Sequence, residues 1–316
     1  MSKYIPGLVS IIIPTYKRSE MLLRAIESAR LQTYSNIEIL VVDDNITGDD
    51  YSLDLRRKLS TINDDRVILV EQEKHINGAA ARNAGIRKAK GEFVSFLDDD
   101  DVITPDKIEL QVNVFGKLDD SWGAVTCLKK IYKDGELVKA TIPYKDGFIF
   151  EDIVSFMTNV TTGTALIRRK ALDEAGYWDE SLKRNQDIQL FSFLSNKYKI
   201  RLVRRYLLLA DISDDQNRVQ TIDDYLKIKE NFYKSVGVLT EKLNASKQKK
   251  IMATQQMFVG VHYLRCRLFR EGLRIIFKAF SNKACTILYF FKYLFRGILE
   301  SKAGKLLCKI WEKKNA

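Results

Sequence analysis

The amino-acid sequence predicts an α/β fold, in which a mostly parallel sheet has helices on both faces and is followed by an α-helical C-terminal region. Short, nearly continuous apolar segments alternate with segments of helical periodicity over residues 8–97. This alternation is typical of a parallel sheet that is buried on both faces. All four prolines lie at or before Pro143. The long proline-free remainder therefore favours helices.

Four predicted strands and two predicted helices make up the alternation. The strands are residues 8–14, 37–42, 67–70 and 93–97, and the helices are residues 21–29 and 79–89. Apolar side chains are continuous in the strands and follow a repeat of about 3.6 residues in the helices. Polar residues follow three of the strands, and the carboxyl ends of parallel strands meet at one edge of a sheet. We expect these polar residues to converge there.

The regular alternation ends beyond residue 120. Residues 122–150 predict short strands around a turn at Lys133-Asp134-Gly135. Residues 161–167 predict a further strand, and residues 187–194 predict the first turns of a helix. The predicted domains are residues 1–225 and residues 226–316.

The net charge of +11 is distributed unevenly along the chain. Residues 247–316 contain 16 Lys and Arg against 3 Asp and Glu, a charge of +13, so the preceding residues carry −2. The basic residues recur at helical spacing, and no separate recognition module accompanies them. We therefore expect no nucleic-acid partner.

The spacing of cysteines and glycines excludes several common sites. The four cysteines form no CxxC pair, which argues against a zinc site or a disulfide framework and is typical of reduced thiols. No two glycines are closer than six positions, so neither the dinucleotide motif nor the P-loop is present. Because the chain has only two histidines, carboxylates must perform most of the acid–base and metal chemistry.

Four consecutive aspartates, at residues 98–101, directly follow the predicted strand 93–97. Neighbouring carboxylates about 4 Å apart repel by roughly 1 kcal/mol in water and by several times that at a protein surface. Carboxylate oxygens are ligands that Mg²⁺ and Mn²⁺ accept readily. The junction of a buried strand with packed negative charge therefore predicts a divalent metal site.

Several motifs occur in order between about residue 8 and residue 219. They are residues 9–16 (VSIIIPTY), 41–44 (VVDD), 77–78 (NG), 81–85 (ARNAG) and 91–101 (GEFVSFLDDDD) with Pro105. The ordered set resembles family 2 glycosyltransferases of the Rossmann-like GT-A fold. The resemblance implies inverting transfer of a sugar from a nucleotide donor, usually a UDP-sugar, with bound Mn²⁺ or Mg²⁺. It also implies a lipid-linked or polysaccharide acceptor in the synthesis of bacterial surface glycans.

The resemblance assigns the nucleotide to the residues that follow the predicted strands. Tyr16 could stack on a pyrimidine, and Asp44 could accept a hydrogen bond from its ring N–H. The alternatives are a packed aromatic for Tyr16 and a helix N-cap for Asp44. The full set of expected nucleotide-binding residues is Pro14, Tyr16, Asp44, Asn77, Gly78, Arg82, Asp98 and Asp99.

Within the aspartate run, the resemblance implies one carboxylate near the ribose and another on the metal that bridges the diphosphate. We assign Asp100 to the metal and Asp98 or Asp99 to the ribose. Asp101 is an alternative cap for the helix that Pro105 begins.

At the start of the helix predicted over residues 79–89, Asn77 and Gly78 precede Arg82. Backbone N–H groups and the Arg82 guanidinium could bind a pyrophosphate there. The alternative is a tightly packed helix with a surface arginine.

Residues 176–187 resemble the acceptor-side motif of the family. Asp187 is the candidate base that deprotonates the acceptor hydroxyl, with a helix N-cap as the alternative. Gln186 stands where the family usually has Glu, which removes a neighbouring charge. Tyr177 and Trp178 would form an apolar platform for a sugar ring or belong to the core.

Two further segments bear on the same chemistry. Thr162-Gly163-Thr164 is expected to bring the backbone close to the bound sugar. Residues 211–216 stand where relatives often have a histidine that aids metal or diphosphate binding, and none is present. This difference and Gln186 leave a second function open, a non-catalytic module that binds a nucleotide-sugar or a glycan.

Residues 247–316 predict cationic, amphipathic helices rich in aromatic residues. Their longest uncharged apolar run, residues 284–291, is far shorter than the ~20 residues needed to span a bilayer. Residues 8–13 are likewise too short for a signal peptide. We therefore expect a cytoplasmic protein bound peripherally to the inner face of the plasma membrane. The alternative is a helical bundle whose aromatics form a core or a homo-oligomer interface.

Overall fold

Parallel pairing builds the half of the sheet that carries the N-terminal residues. A computed structural model describes residues 4–72, 74–158, 160–212 and 221–281. The first strands are β1 (Ile5–Thr15), β2 (Ile37–Asp43), β3 (Val67–Glu71) and β4 (Gly91–Phe96). They pair in the order β3-β2-β1-β4, and every pair is parallel. The four predicted strands are confirmed to within a few residues.

The other half of the sheet is mixed. Its strands are β5 (Val102–Ile103), β6 (Trp122–Lys133), β7 (Glu136–Ala140), β8 (Leu166–Arg168) and β9 (Lys199–Asp211). Short β8 lies antiparallel between β4 and β6, and β9 runs parallel to β6 and antiparallel to β5. Strand β7 forms a hairpin with β6. Most of the paired residues are in parallel register, so the predicted α/β class is confirmed.

For this half, the structure confirms one expectation, corrects two and adds a strand. The turn at Asp134 and Gly135 is confirmed, with φ values of 51° and 80° that suit a hairpin. However, β6 is one strand of 12 residues rather than a short strand. Its first half is buried in the sheet, and only its last residues form the hairpin with β7. The strand expected over residues 161–167 is wrong at its start, where Thr162–Thr164 form a 3₁₀ turn. Strand β9 was not expected, since arginines interrupt its apolar pattern.

Helices cover both faces of the sheet. They are α1 (Ser19–Arg30), α2 (Asp50–Leu59), α3 (Gly78–Lys88), α4 (Lys107–Phe115), α5 (Phe150–Val154), α6 (Arg169–Ala175) and α7 (Gln186–Lys197). Alternate residues of β1 enter separate cores. Ile12 packs with α3, α6 and α7, whereas Ile11 and Ile13 pack with α1, α2 and α4. The predicted two-sided burial is therefore confirmed.

Three C-terminal helices follow, α8 (Ile222–Thr240), α9 (Ala245–Arg265) and α10 (Phe269–Ser281). Phe232 of α8 and Phe258 of α9 pack with Phe156, and Ile251 of α9 packs with Phe150. These helices confirm the predicted helical region and share apolar clusters with the preceding fold. The division at residue 225 stays a prediction.

Helix α10 lies directly against α9 through two glycines. A Cβ added at Gly272 would lie 2.9 Å from the carbonyl oxygen of Gly260, and one added at Gly260 would lie 3.0 Å from the carbonyl oxygen of Gly272. The two backbones are therefore in contact. The apolar run at residues 284–291 lies outside the described residues. Within the described ranges, no helix is both long and apolar enough to cross a bilayer.

The close packing of β6 can be tested at Gly123. A Cβ there would lie 2.6 Å from Tyr198 Cβ and 3.0 Å from Ala171 Cβ, two atoms that cannot move without the backbone. We expect Gly123→Ala to lower the free energy of unfolding by about 1–3 kcal/mol in urea titrations. Gly116→Ala is the matched control, because its nearest neighbour atom is 3.7 Å away. Equal unfolding midpoints for the two variants would contradict this packing.

Candidate active site

A cavity of about 730 Å³ opens at the carboxyl ends of β1, β2 and β4. The parallel register aligns these ends, with Thr15 opposite Asp43 and Ile12 opposite Phe96. The residues that line the cavity are Pro14, Thr15, Tyr16, Lys17, Arg18, Asp44, His75, Asn77, Gly78, Arg82, Asp98, Asp99 and Asp100. All the predicted nucleotide-binding residues and the predicted metal ligand therefore surround one cavity. Their binding roles stay predictions.

The two aspartates that end β2 have different surroundings. Buried Asp43 accepts hydrogen bonds from Asn45 at 2.8 Å and from Ser52 at 2.7 Å. Asn45 in turn accepts from the backbone N–H of Lys17 at 3.0 Å, where Lys17 has a φ of 58°. Asp43 thus stabilises the turn after β1, which leaves Asp44 to face the cavity. The N-cap alternative for Asp44 is not observed, because Asp49 caps α2.

His75 lies between the two residues expected to contact a base. Its ring stacks on Tyr16 with 3.9 Å between ring centroids and 16° between planes. His75 Nδ1 lies 2.9 Å from Asp44 Oδ2, and Gln72 Nε2 donates to Asp44 Oδ1 at 2.8 Å. Burial raises the pKa of Asp44, while the contact with His75 opposes the rise. Tyr16 is thus packed on one face and is still 37% exposed.

Each of the four consecutive aspartates contacts a different element. Arg82 of α3 donates to Asp98, and Thr15 of β1 donates to Asp99 at 2.8 Å. Arg18, which precedes α1, donates to Asp100 at 2.9 Å. Asp101 accepts from the backbone N–H of Asp211 on β9 at 3.2 Å.

Asp101 does not cap the helix after Pro105, so that alternative is wrong. The helix, α4, begins at Lys107, and its N-cap position is Asp106. The backbone N–H of Asp211 holds the Asp101 carboxylate on the side of β9 instead. The carboxylate also lies near Gly163, where an added Cβ would be 3.7 Å from Asp101 Oδ2.

Burial and mutual repulsion disfavour the ionised forms of these aspartates. Burial is the main reason that the pKa of Asp99 rises to about 6, and Asp100 and Asp98 add to the rise. The pKa values of Asp100 and Asp101 are raised as well, first by burial and then by neighbouring carboxylates. A cation in the cavity would relieve this repulsion.

Arg82 carries positive charge into the same space. Burial alone would lower its pKa, but the carboxylates of Asp98, Asp187 and Asp99 outweigh burial and raise it. Its guanidinium lies 6.0 Å from the Trp178 ring, and its buried Nε has no hydrogen-bond partner. The alternative of a surface arginine is therefore not observed.

Asn77 has a different geometry from the one expected for binding through backbone N–H groups. It is the N-cap of α3, and its side chain accepts from the backbone N–H groups of Ala79 and Ala80, both at 3.0 Å. Those two donors are already satisfied. Arg82, rather than the helix N-terminus, is thus the positively charged group that α3 contributes to the cavity.

The candidate base Asp187 lies in the first turn of α7. Asn185, with a φ of 60°, occupies the N-cap position without a side-chain cap, so the N-cap alternative for Asp187 is wrong. Asp187 accepts from the backbone N–H of Thr162 at 3.3 Å and raises the pKa of Arg82. Gln186 donates to the carbonyl of Leu182. Asp187 is thus adjacent to the cavity, although it does not line it.

The structure favours the core alternative for Trp178. The residue is 3% exposed and packs edge-on against Phe96. Tyr177 is half-buried and donates to Asp173 at 2.6 Å. Trp178 therefore supports the wall behind Arg82 and offers no surface to a sugar ring.

Asn83 of α3 and Asn77, the N-cap of α3, join the cavity to residues 177–182. Asn83 donates to the carbonyl of Trp178 at 2.9 Å and accepts from its backbone N–H at 3.1 Å. Asn77 donates to the carbonyl of Glu180 at 2.9 Å. Residues 177–182 are therefore positioned by the same helix that carries Arg82.

Sequence and structure comparisons agree with this geometry. A family model described as "Glycosyl transferase family 2" matches residues 10–176, just over half of the chain. The chain belongs to glycosyl transferase family 2. The match begins in β1 and ends before the segment that carries Asp187, so it contains all the cavity-lining residues.

Three curated relatives illustrate the family members to which the chain is similar. An uncharacterized glycosyltransferase of Rickettsia felis is 30% identical over 218 residues, which are 69% of this chain and 35% of that protein. The amylovoran biosynthesis glycosyltransferase AmsB of Erwinia amylovora is 29% identical over 57% of this chain and 62% of its own length. The Escherichia coli UDP-Glc:alpha-D-GlcNAc-diphosphoundecaprenol beta-1,3-glucosyltransferase WfaP is 38% identical over 34% of this chain and 40% of its own. The chain thus spans between 35% and 62% of these relatives.

Two solved structures show the fold. S. aureus TarS 1-349, in complex with UDP-GlcNAc, aligns with a TM-score of 0.55 at 16% identity and covers 85% of this chain and 90% of that one. The mannosyltransferase PcManGT from Pyrobaculum calidifontis, in complex with GDP-Man and Mn²⁺, aligns with a TM-score of 0.57 at 17% identity. It covers 95% of this chain and 82% of that one. The predicted GT-A fold is confirmed.

The acidic side of the cavity fits a divalent cation. Asp98, Asp99 and Asp100 present hard oxygen ligands. Burial, and then repulsion between carboxylates, raises the pKa values of Asp99 and Asp100, and a cation would stabilise their ionised forms. Among the described residues, no group of three or more His, Cys, Asp or Glu side chains is arranged to hold a metal ion. A metal here would therefore need oxygen ligands from a bound diphosphate or water.

The predicted site omitted four residues that line the cavity, Thr15, Lys17, Arg18 and His75. Arg18 follows Tyr16 by two positions, so its place after β1 was a usable signal. His75 is one of only two histidines and lies two residues before Asn77. Neither position reveals its contacts, which depend on how the turns after β1 and β3 fold.

The burial of the Asp99 carboxylate beside other carboxylates leads to a stability prediction. Its pKa rises from 3.8 to about 6, so the ionised carboxylate destabilises the fold at pH values above 6 and not below 3.8. The size of this effect is up to about 3 kcal/mol. We expect Asp99→Asn to raise the melting temperature by several degrees at pH 7.5 in a chelator.

Asp64→Asn provides a control of opposite sign. Hydrogen bonds from Arg66 and Arg30 hold the pKa of Asp64 well below its usual range. This substitution should therefore lower the melting temperature at the same pH. A lower melting temperature for Asp99→Asn would contradict the idea that Asp99 is held at a cost in stability.

Proposed function

We propose that the protein is a metal-dependent, inverting glycosyltransferase that moves a sugar from a UDP-sugar to a hydroxyl of a lipid-linked or polysaccharide acceptor in surface glycan synthesis. The observation that carries the proposal is the single cavity around Tyr16, Asp44, Arg82 and residues 98–100. The Tyr16 ring and the Asp44 carboxylate, a hydrogen-bond acceptor, suit a nucleotide base. The positive Arg82 suits a diphosphate, and the negative residues 98–100 suit the metal that would accompany it. The names of WfaP and of the TarS complex support a UDP-sugar as the donor.

In this proposal the two ends of the cavity bind the two ends of the donor. Tyr16 stacks on the base, and Asp44 accepts a hydrogen bond from the base N–H. Asp100 is the metal ligand, and Asp98 or Asp99 contacts the ribose. Bound Mn²⁺ or Mg²⁺ would neutralise the diphosphate as the nucleotide leaves.

Arg82 would contribute a second positive charge to the diphosphate. Arg82 lines the cavity and pairs with Asp98 through Nη2, so a donor on Nη1 could bind a phosphate oxygen without first breaking that pair. Arg18 is paired with Asp100 at 2.9 Å, and it would have to share or release this carboxylate when a metal binds.

Asp187 is the proposed base for the acceptor hydroxyl. It is close enough to Arg82 to raise the pKa of that group, which relates it to the diphosphate end of the cavity. Its hydrogen bond with the backbone N–H of Thr162 fixes one carboxylate oxygen, and the other is available for a hydroxyl proton. The turn at Thr162–Thr164 would line the path to the acceptor.

A screen of UDP-sugars for UDP release tests the proposal. With the productive donor and acceptor, release should require Mn²⁺ or Mg²⁺ and stop in a chelator. Asp187→Asn should reduce turnover by about 10²- to 10⁴-fold, the usual contribution of a general base. UDP affinity measured by calorimetry should not weaken, because Asp187 does not line the cavity and its negative charge only offsets that of Arg82.

Asp179→Asn is the matched control, since Asp179 is a partly exposed carboxylate of the same segment whose side chain hydrogen-bonds locally with Ser181. Its turnover should equal that of the unmodified chain. Normal turnover by Asp187→Asn would show that another group is the base. UDP binding without turnover of any donor would favour the alternative, a non-catalytic nucleotide-sugar or glycan-binding module.

We further propose that α10 docks the protein on the inner face of the plasma membrane. One face of α10 exposes Phe269, Leu273 and Phe277, which are 61%, 46% and 68% exposed. Arg270, Arg274 and Lys278 follow these residues by one position each, so a basic stripe runs beside the apolar stripe. Such a helix fits an anionic lipid surface, and docking would bring the cavity to a lipid-linked acceptor.

Flotation with vesicles tests the docking face. Substituting Phe269, Leu273 and Phe277 by Ser should reduce binding to phosphatidylglycerol vesicles by about tenfold or more, because each buried apolar side chain contributes over 1 kcal/mol. The control substitutes Leu31, Ile46 and Leu53, which are 59%, 59% and 53% exposed on the N-terminal fold. An unmodified chain that ignores the vesicles but self-associates through α10 in light scattering would favour the homo-oligomer alternative.

A further inference from the structure

His75 contacts Tyr16 and Asp44, the two residues that the proposed function assigns to the base of the donor. Its ring covers one face of Tyr16 at a centroid distance of 3.9 Å. Its Nδ1 lies 2.9 Å from Asp44 Oδ2 and 3.1 Å from the Asp44 carbonyl oxygen. Both neighbours of Nδ1 are acceptors, so this nitrogen carries the hydrogen. A flat ring with an N–H directed at a carboxylate is also how a uracil would present itself.

We propose that His75 occupies the base position and that a uracil-type base must displace it from Tyr16 and Asp44. This inference rests on the proposed function of the cavity and adds a competing residue to it. His75 then sets the affinity for the donor, because only molecules whose histidine has swung away can accept the base. It is a positioning residue and has no part in the transfer step.

The surroundings of His75 suit such an exchange. Its side chain is 36% exposed, so rotation brings it into solvent rather than into the packed core. Asp44 would keep its orientation after the exchange, since Gln72 Nε2 holds the other carboxylate oxygen at 2.8 Å. Asp44 Oδ2 is then presented to the incoming N–H.

The chemistry also predicts which bases compete with His75. Uracil has a ring N–H that can donate to Asp44, whereas the corresponding ring nitrogen of cytosine is an acceptor that a carboxylate repels. UDP should therefore displace His75, and CDP should not.

Calorimetric titration of UDP tests the proposal. His75→Ala should bind UDP about three- to tenfold more tightly than the unmodified chain, the gain expected if His75 occupies the base position in roughly 70 to 90% of molecules. His262→Ala is the matched control and should leave the affinity unchanged. Weaker binding by His75→Ala would show that His75 forms a wall of the site and would overturn the proposal.

Histidine NMR signals of the unmodified chain provide a test that needs no active-site variant. The chain has two histidines, and the second, His262, stacks on Tyr225 at 3.7 Å. Both ring signals should be shifted by the neighbouring tyrosine. Saturating UDP should move the His75 signal and leave the His262 signal in place. A His75 signal that stays unchanged with saturating UDP, or that CDP moves equally, would overturn the assignment.

These outcomes are separate from those that test the proposed function. If neither the unmodified chain nor His75→Ala binds UDP, the nucleotide site itself is wrong. If both bind UDP and His75→Ala does not bind more tightly, only the role of His75 is wrong.

Discussion

The repulsion among four adjacent carboxylates is the constraint on which the site depends. Residues 98–101 follow a buried strand, and each carboxylate accepts a hydrogen bond from a different residue. The partners are Arg82 on α3, Thr15 on β1, Arg18 before α1 and the backbone of Asp211 on β9. Elements from both halves of the sheet are therefore tied to one acidic junction. The fold stabilises the cluster incompletely, as the raised pKa of Asp99 indicates.

The sequence predicted the parallel half of the fold well, because strands that are buried on both faces, such as β2, are continuous apolar runs in the sequence. It also predicted most of the residues around the cavity, since Tyr16, Asp44 and residues 98–100 come just after a strand. It did not predict β9, because arginines interrupt the apolar pattern of this strand, which pairs along its length with β6. Nor could it predict the His75 stack on Tyr16, because that contact joins two turns that are far apart in the chain.

The cavity and the segment that leads to Asp187 share one support. Asn83 holds both the N–H and the carbonyl of Trp178, and Trp178 in turn packs against Phe96 at the end of β4. The segment that precedes Asp187 is thus fixed to the helix that carries Arg82 and to the strand that ends in the aspartates. These contacts of Asn83, Trp178 and Phe96 are present although the chain has Gln186 where the family usually has Glu.

The contact between Gly260 and Gly272 has a mechanical consequence for the whole chain. Two helices whose backbones touch cannot slide or roll past each other without a clash, so α10 has a single angle to α9. Helix α9 is in turn packed on α5 and α8. Any surface that engages the outer face of α10 is therefore held at a fixed tilt relative to the cavity mouth. Two residues without side chains thus fix the tilt of α10 relative to the helices on which α9 packs.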